Sequence, residues 1–187
     1  FLPSRAEKPI VYYGTSIVHG AAASRPAMCH AAILGRRLNK PMINLGFGGN
    51  GKMEPEVADL LTELDPCVFI VDCLPNITAD VVTELTEPLV RKLRAAHPDT
   101  PIVLIEDRTY ANAWIRPAMR KRNSTSREAY RAAYERLLAD GVAGLTYVEG
   151  EQLLGDDSEA TVDSSHPTDL GFWRMSDVLE PILRPLI

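Results

Sequence analysis

The chain alternates between two kinds of segment, and this alternation constrains its fold more than any other feature. "IVYYG" (10–14), "PMINLG" (41–46), "CVFIVDCL" (67–74), "PIVLIED" (101–107) and "LTYVEG" (145–150) are short, apolar and rich in β-branched or aromatic residues, as strands are. Helical patterns follow at 26–38, 54–64, 78–97, 126–141 and 169–183, and Pro88 in the third sets up a bend. Residues 108–124 read as a polar, basic connection. Strands that alternate with helices lie parallel, with the crossover helices over both faces. The expectation is therefore an α/β fold of three layers, α/β/α, around a five-stranded parallel sheet. Ligands of such sheets bind beyond the carboxyl ends of the strands. The segments to inspect are 14–19, 46–51, 72–76, 106–116 and 150–166.

The length of 187 residues suits one domain over 1–187 with a full core, and 45% apolar residues make that domain globular rather than disordered. A net charge of −5 disfavours nucleic acid as a partner. No apolar run approaches the roughly 20 residues of a membrane span. Cys29, Cys67 and Cys73 do not form a disulfide framework, because six residues of strand hold Cys67 and Cys73 roughly 20 Å apart. Free buried thiols lean towards the cytoplasm. The chain starts at Phe1 rather than Met, so the expectation is an incomplete N-terminus, which leaves a removed signal peptide or upstream domain, and a secreted or periplasmic location, open. A homo-oligomer is also left open.

"GFGGNG" (46–51) matches G-x-G-x-x-G and lies between a strand and a helix, as a dinucleotide site requires. It follows the second strand rather than the first, and Asp72, the candidate ribose acid, stands farther along than that motif sets. As a P-loop it lacks the magnesium-binding hydroxyl, since position 53 is Met53. The glycines then serve either a tight turn or the presentation of backbone N–H groups to a developing negative charge.

The second use needs a nucleophile. Ser16 follows the first strand, where a serine also serves as a helix cap. Asp163 and His166, three apart before the last helix, lie on a stretch that one turn can aim at one point, although Asp-x-x-His is also a common surface turn. An activated serine needs a base, an acid that orients the base, and oxyanion donors. All these residue types occur at strand ends: Ser16, Gly49, Asn76, Asp163 and His166. The nucleophile elbow G-x-S-x-G does not match, because Val18 stands at its second glycine.

Taken together, "GTS" (14–16), "NLGFGG" (44–49), "CLPN" (73–76) and "DSSHP" (163–167) resemble, in order, four blocks of the SGNH (GDSL-type) hydrolases, a superfamily of esterases and acylhydrolases. The resemblance implies a flavodoxin-like fold, Ser16 as nucleophile with His166 and Asp163, and an oxyanion hole of Ser16, Gly49 and Asn76. It implies no metal and no cofactor. Three positions depart from the family pattern: Thr15 for Asp in the first block, and Leu74 for Gly and Ile77 for the second Asp in the third. The expected substrates are small-molecule or carbohydrate esters with short acyl groups, acetyl on sugars among them.

Tyr110 and Trp114, on the long connection, are read either as pocket walls or as pins of the loop. Arg116, Arg120, Lys121 and Arg122 are read as a solvated face rather than an anion site, with a subunit contact left open, and His30 and His97 as structural; His19, three residues after Ser16, is read as structural over a contact with the site. The spacing of Cys29, His30 and His19 suits no metal. Two rival classes remain: a non-catalytic carbohydrate-binding module on the same fold, and a nucleotide-binding α/β protein.

Overall fold

The computed structural model describes residues 7–187, so residues 1–6 of the expected domain lie outside the described residues. Its sheet contains β1 (Ile10–Gly14), β2 (Met42–Gly46), β3 (Val68–Asp72), β4 (Ile102–Ile105) and β5 (Leu145–Val148), all parallel, in the order β2-β1-β3-β4-β5. The central strands β1, β3 and β4 are buried along their whole length, which is why their sequences are apolar on both faces. The helices are α1 (Ser16–His19), α2 (His30–Leu38), α3 (Pro55–Thr62), α4 (Ala79–Ala96), α5 (Pro117–Ala139) and α6 (Asp169–Leu183).

Alternate strand residues feed two separate cores. Ile10, Tyr12, Ile70 and Val103 pack against α1, α2 and α6. Val11, Tyr13, Phe69 and Leu104 pack against α3, α4 and α5. The three-layer α/β/α architecture expected from the sequence is the one observed.

Three elements differ from the sequence reading. The helix expected over 26–38 is interrupted at Cys29, whose extended backbone separates a 3-10 turn (Pro26–Met28) from α2. The four-residue α1 is too short to carry a periodicity, so nothing in the sequence pattern marks it. The connection expected over 108–124 ends early, because α5 begins at Pro117 with the proline in its first turn. The helix expected over 126–141 starts nine residues earlier, and in that added stretch the buried residue Asn123 is polar, so apolar periodicity could not reveal it.

Parallel register brings the strand ends level. Gly14 lies opposite Gly46 on one side and Asp72 on the other. The chain order reverses at β1 and β3, and the crevice at such a switch point is where α/β proteins bind their ligands. Among the described residues no helix is long and apolar enough to cross a membrane. Cys29 and Cys73 are buried free thiols, whereas Cys67 is only half-buried.

Candidate active site

β1 delivers Ser16 to the switch point. Thr15 caps α1, its hydroxyl accepting from Ile17 N at 3.3 Å, and Ser16 is the first helical residue. A first-turn N–H has no acceptor inside its own helix, so α1 does not use that of Ser16. Thr15, standing where the resemblance sets Asp, is completely buried.

The loop after β5 supplies the partners of Ser16. Asp163 Oδ1 accepts from Ser165 N at 2.9 Å and from His166 N at 2.7 Å, an Asx-type turn that folds the chain back on itself. Ser164 absorbs the turn at φ 73°. The turn aims His166 Nδ1 at Asp163 Oδ2, 2.7 Å away, and His166 Nε2 at Ser16 Oγ, 2.9 Å away. An ionised carboxylate only accepts, so Nδ1 carries the ring proton and the Nε2 lone pair accepts from the serine hydroxyl. Partial burial pushes the Asp163 pKa up, but hydrogen bonds from the backbone and ring of His166 and from Ser165 N outweigh it. The carboxyl is held below the usual aspartate range.

Arg108 braces this turn from beneath. Its buried guanidinium donates through Nε to Ser165 O at 3.0 Å and also to Ser165 Oγ, and it pairs with Asp107. Asn123 of α5 ties the same region together, donating to Asp107 Oδ2 at 3.2 Å and to Arg108 O at 3.0 Å. Sequence reasoning missed both residues; the only signal was a polar run where strand β4 ends.

The glycine loop wraps the end of β1. Gly14 O accepts from Phe47 N at 2.9 Å, and Tyr13 Oη is bonded to Met53 N at 3.1 Å and to Glu54. Gly51 adopts φ +68°, and a Cβ there would collide with the Gly14 carbonyl oxygen. Gly49 adopts φ +74° with open space around it, so its need for glycine is conformational only. Asn76 ends a short 3-10 turn after β3 (Leu74–Asn76) and donates through Nδ2 to Asn50 O at 2.5 Å, which joins the third loop to the glycine loop. A side-chain amide has two N–H donors, so a second one remains available.

Asp72 is buried beneath the site, accepting from Tyr12 Oη at 3.3 Å, and Tyr12 Oη in turn accepts from His30 Nε2 at 2.9 Å. Burial raises the Asp72 pKa to about 7 against the opposing pull of Arg108 and Tyr12, and burial lowers that of His30 to about 3. A carboxyl so enclosed cannot reach a ribose, which removes the main support for a dinucleotide reading. His97 Nε2 is bonded to Thr62 O at 3.1 Å, whereas His19 is exposed at the end of α1. No group of three or more His, Cys, Asp or Glu among the described residues is placed to hold a metal.

A cavity of about 280 Å³ adjoins the His166 turn, walled by Tyr110, Ala113, Trp114, Glu151, Asp156 and Thr161. Ala111, in its wall, donates through N to Ser164 O at 3.0 Å, so the wall meets the turn, while Ser16, Gly49, Asn76, Asp163 and His166 lie outside the lining. Tyr110 lies against the Arg108 guanidinium, 4.3 Å from its ring centre, whereas Trp114 is 77% exposed and pins nothing. Of the basic run, Arg116, Arg120 and Lys121 are exposed as expected. Arg122 is not: it is half-buried and bonded to Pro75 O at 2.9 Å.

Residues 7–184 match the model of the GDSL-like Lipase/Acylhydrolase family. No curated protein matches the chain. Among solved structures, a GDSL-like lipase candidate from Bacteroides ovatus ATCC 8483 is 40% identical with a TM-score of 0.93, over 96% of this chain and 53% of that one. A family two carbohydrate esterase from Clostridium thermocellum, solved with cellohexaose, superposes at TM-score 0.77 with 16% identity, covering 99% of this chain and 66% of that one. A two-domain esterase active on acetylated mannans superposes at 0.70 with 20% identity, over 96% and 50% of the two chains. The last two likenesses concern the fold alone. The chain spans about half the length of the Bacteroides protein and of the mannan esterase.

Proposed function

The chain belongs to the GDSL-like lipase/acylhydrolase family, and on that footing we propose that it is a serine ester hydrolase. The observation that carries the reading is the unbroken contact chain from Ser16 Oγ through His166 to Asp163. Ser16 Oγ attacks the ester carbonyl as its proton passes to His166 Nε2, and Asp163 holds the ring and its growing positive charge. The carbonyl oxygen becomes an oxyanion that accepts from Ser16 N–H, Gly49 N–H and the Asn76 amide. Collapse expels the alcohol, protonated by His166, and leaves an acyl-enzyme. Water then adds to the acyl-enzyme by the same route and releases the acid. The side chains and backbone donors named here supply this chemistry.

The proposed substrate is a short acyl ester, an acetyl group on a sugar in particular. The exposed Trp114 indole offers an apolar face to a pyranose ring, and Glu151 and Asp156 in the same wall can accept from sugar hydroxyls. Two proteins of the same fold are a carbohydrate esterase solved with cellohexaose and an esterase active on acetylated mannans. A panel of nitrophenyl esters of increasing chain length, run beside acetylated oligosaccharides, tests the assignment. The reading expects kcat/KM to be highest for acetyl and to fall as the chain lengthens, with acetate released from the sugars. A preference for long acyl chains would contradict it.

A further inference from the structure

The third loop departs from the family pattern at Leu74 and Ile77, where the resemblance sets Gly and a second Asp. Both side chains are buried in the core beneath α3, α4 and α5, so neither can brace Asn76 through a polar contact. Within the turn the loop is held by backbone bonds, Asn76 N to Cys73 O and Ile77 N to Leu74 O, both at 3.2 Å. Another group holds the loop from outside. Arg122, on α5, directs Nη2 at Pro75 O, 2.9 Å away, and at Ile77 O, 3.4 Å away. These carbonyls belong to the residues on either side of Asn76.

We propose that Arg122 is the positioning residue for Asn76, in place of the acidic side chain that Ile77 replaces. The inference rests on the serine-esterase reading, in which Asn76 is an oxyanion donor. One guanidinium fixes the carbonyls that flank Asn76, and with them the path of the backbone that bears the side chain. The amide then spends one N–H on Asn50 O at 2.5 Å and offers the other to the oxyanion. Because Asn50 follows Gly49, the same brace reaches the backbone donor of the glycine loop. A planar, charged fork suits this role, because its donors are fixed in direction and a hydrogen bond from a charged donor is stronger than a neutral one. Arg122 acts on the oxyanion donors through Asn76, whose amide is the link to Asn50 and the glycine loop.

A double-mutant cycle between Arg122→Met and Asn76→Ala tests this, read as kcat and KM on nitrophenyl acetate beside thermal melts. Removing an oxyanion donor costs roughly 10²–10³ in kcat. Arg122→Met is expected to lower kcat roughly 10- to 100-fold with KM within about twofold, and Arg122→Lys to recover part of the loss. In the Asn76→Ala background, Arg122→Met is expected to cost nothing further. Should Arg122→Met fail to fold, the same cycle is read with Arg122→Gln. Wild-type kcat in Arg122→Met, or an equal additional loss in the Asn76→Ala background, overturns the inference and leaves the esterase reading standing. Full hydrolysis by Ser16→Ala would instead overturn that reading, and the inference with it.

Discussion

Ser16 Oγ and His166 Nε2 lie 2.9 Å apart, although 150 residues separate them in the chain. The first is set by the end of a central strand and the second by a turn built on Asp163. The turn is more open to solvent than the strand end: the side chains of His166 and Asp163 are 33% and 50% exposed. Water screens an exposed carboxylate, so its support of an imidazolium is weaker than that of a buried one.

Asp163 therefore contributes less than His166. His166→Ala is expected to lower kcat by about 10⁶-fold, and Asp163→Ala by less, roughly 10⁴-fold or below. Steady-state kinetics on a nitrophenyl ester measures both. Equal losses would contradict the exposure argument.

The pH behaviour of Asp163 follows from its depressed pKa. Such a group contributes stability above its unfolded value, and the contribution is lost only as pH falls through the folded value. The Tm difference between the protein and Asp163→Asn is expected to hold at pH 7 and pH 5. It closes only below the ordinary aspartate value of about 3.9. Melts across that range measure it, and closure already at pH 5 would refute the assignment of the shift.

Asp72 titrates in the opposite sense. Its folded pKa of about 7 exceeds the unfolded value of about 3.9, so between them the native state holds the extra proton. Stability attributable to this group falls as pH rises from about 4 to 7, then levels off. Asp72→Asn removes that slope, so the variant's Tm should gain on the parent's between pH 4.5 and pH 8. A Tm difference that does not change with pH would sink the claim.

Gly51 and Gly49 both adopt positive φ, yet only Gly51 abuts the Gly14 carbonyl next to the nucleophile. Gly49→Ala incurs conformational strain of about 1–2 kcal/mol. Gly51→Ala adds a backbone collision and is expected to destabilise by more, roughly 3 kcal/mol or above, and to lower kcat as the Ser16 backbone shifts. Chemical denaturation of the two variants compares them directly. Equal stability would show that the loop can move away from β1.

Much of this was legible in the sequence, because burial on both faces forces β-branched runs such as "VFIVD" to advertise central strands. The residues at the ends of those strands could be named because parallel register brings strand ends level. What stayed hidden depends on polar contacts that only the fold creates. Asn123 is a buried polar residue that disguised the first turns of α5 as loop. Arg122 looked like part of a solvated basic run because its acceptors, Pro75 O and Ile77 O, are backbone atoms more than forty residues away. Arg108 was equally unmarked, since the groups it holds belong to Ser165.

The most direct measurement is hydrolysis of nitrophenyl acetate by Ser16→Ala, paired with mass-spectrometric mapping of a fluorophosphonate adduct on the unaltered protein. The account expects one adduct, on Ser16, and hydrolysis by the variant reduced to the uncatalysed background with Tm unchanged within about 2 °C. Undiminished turnover in Ser16→Ala, or an adduct on any other residue, would contradict it.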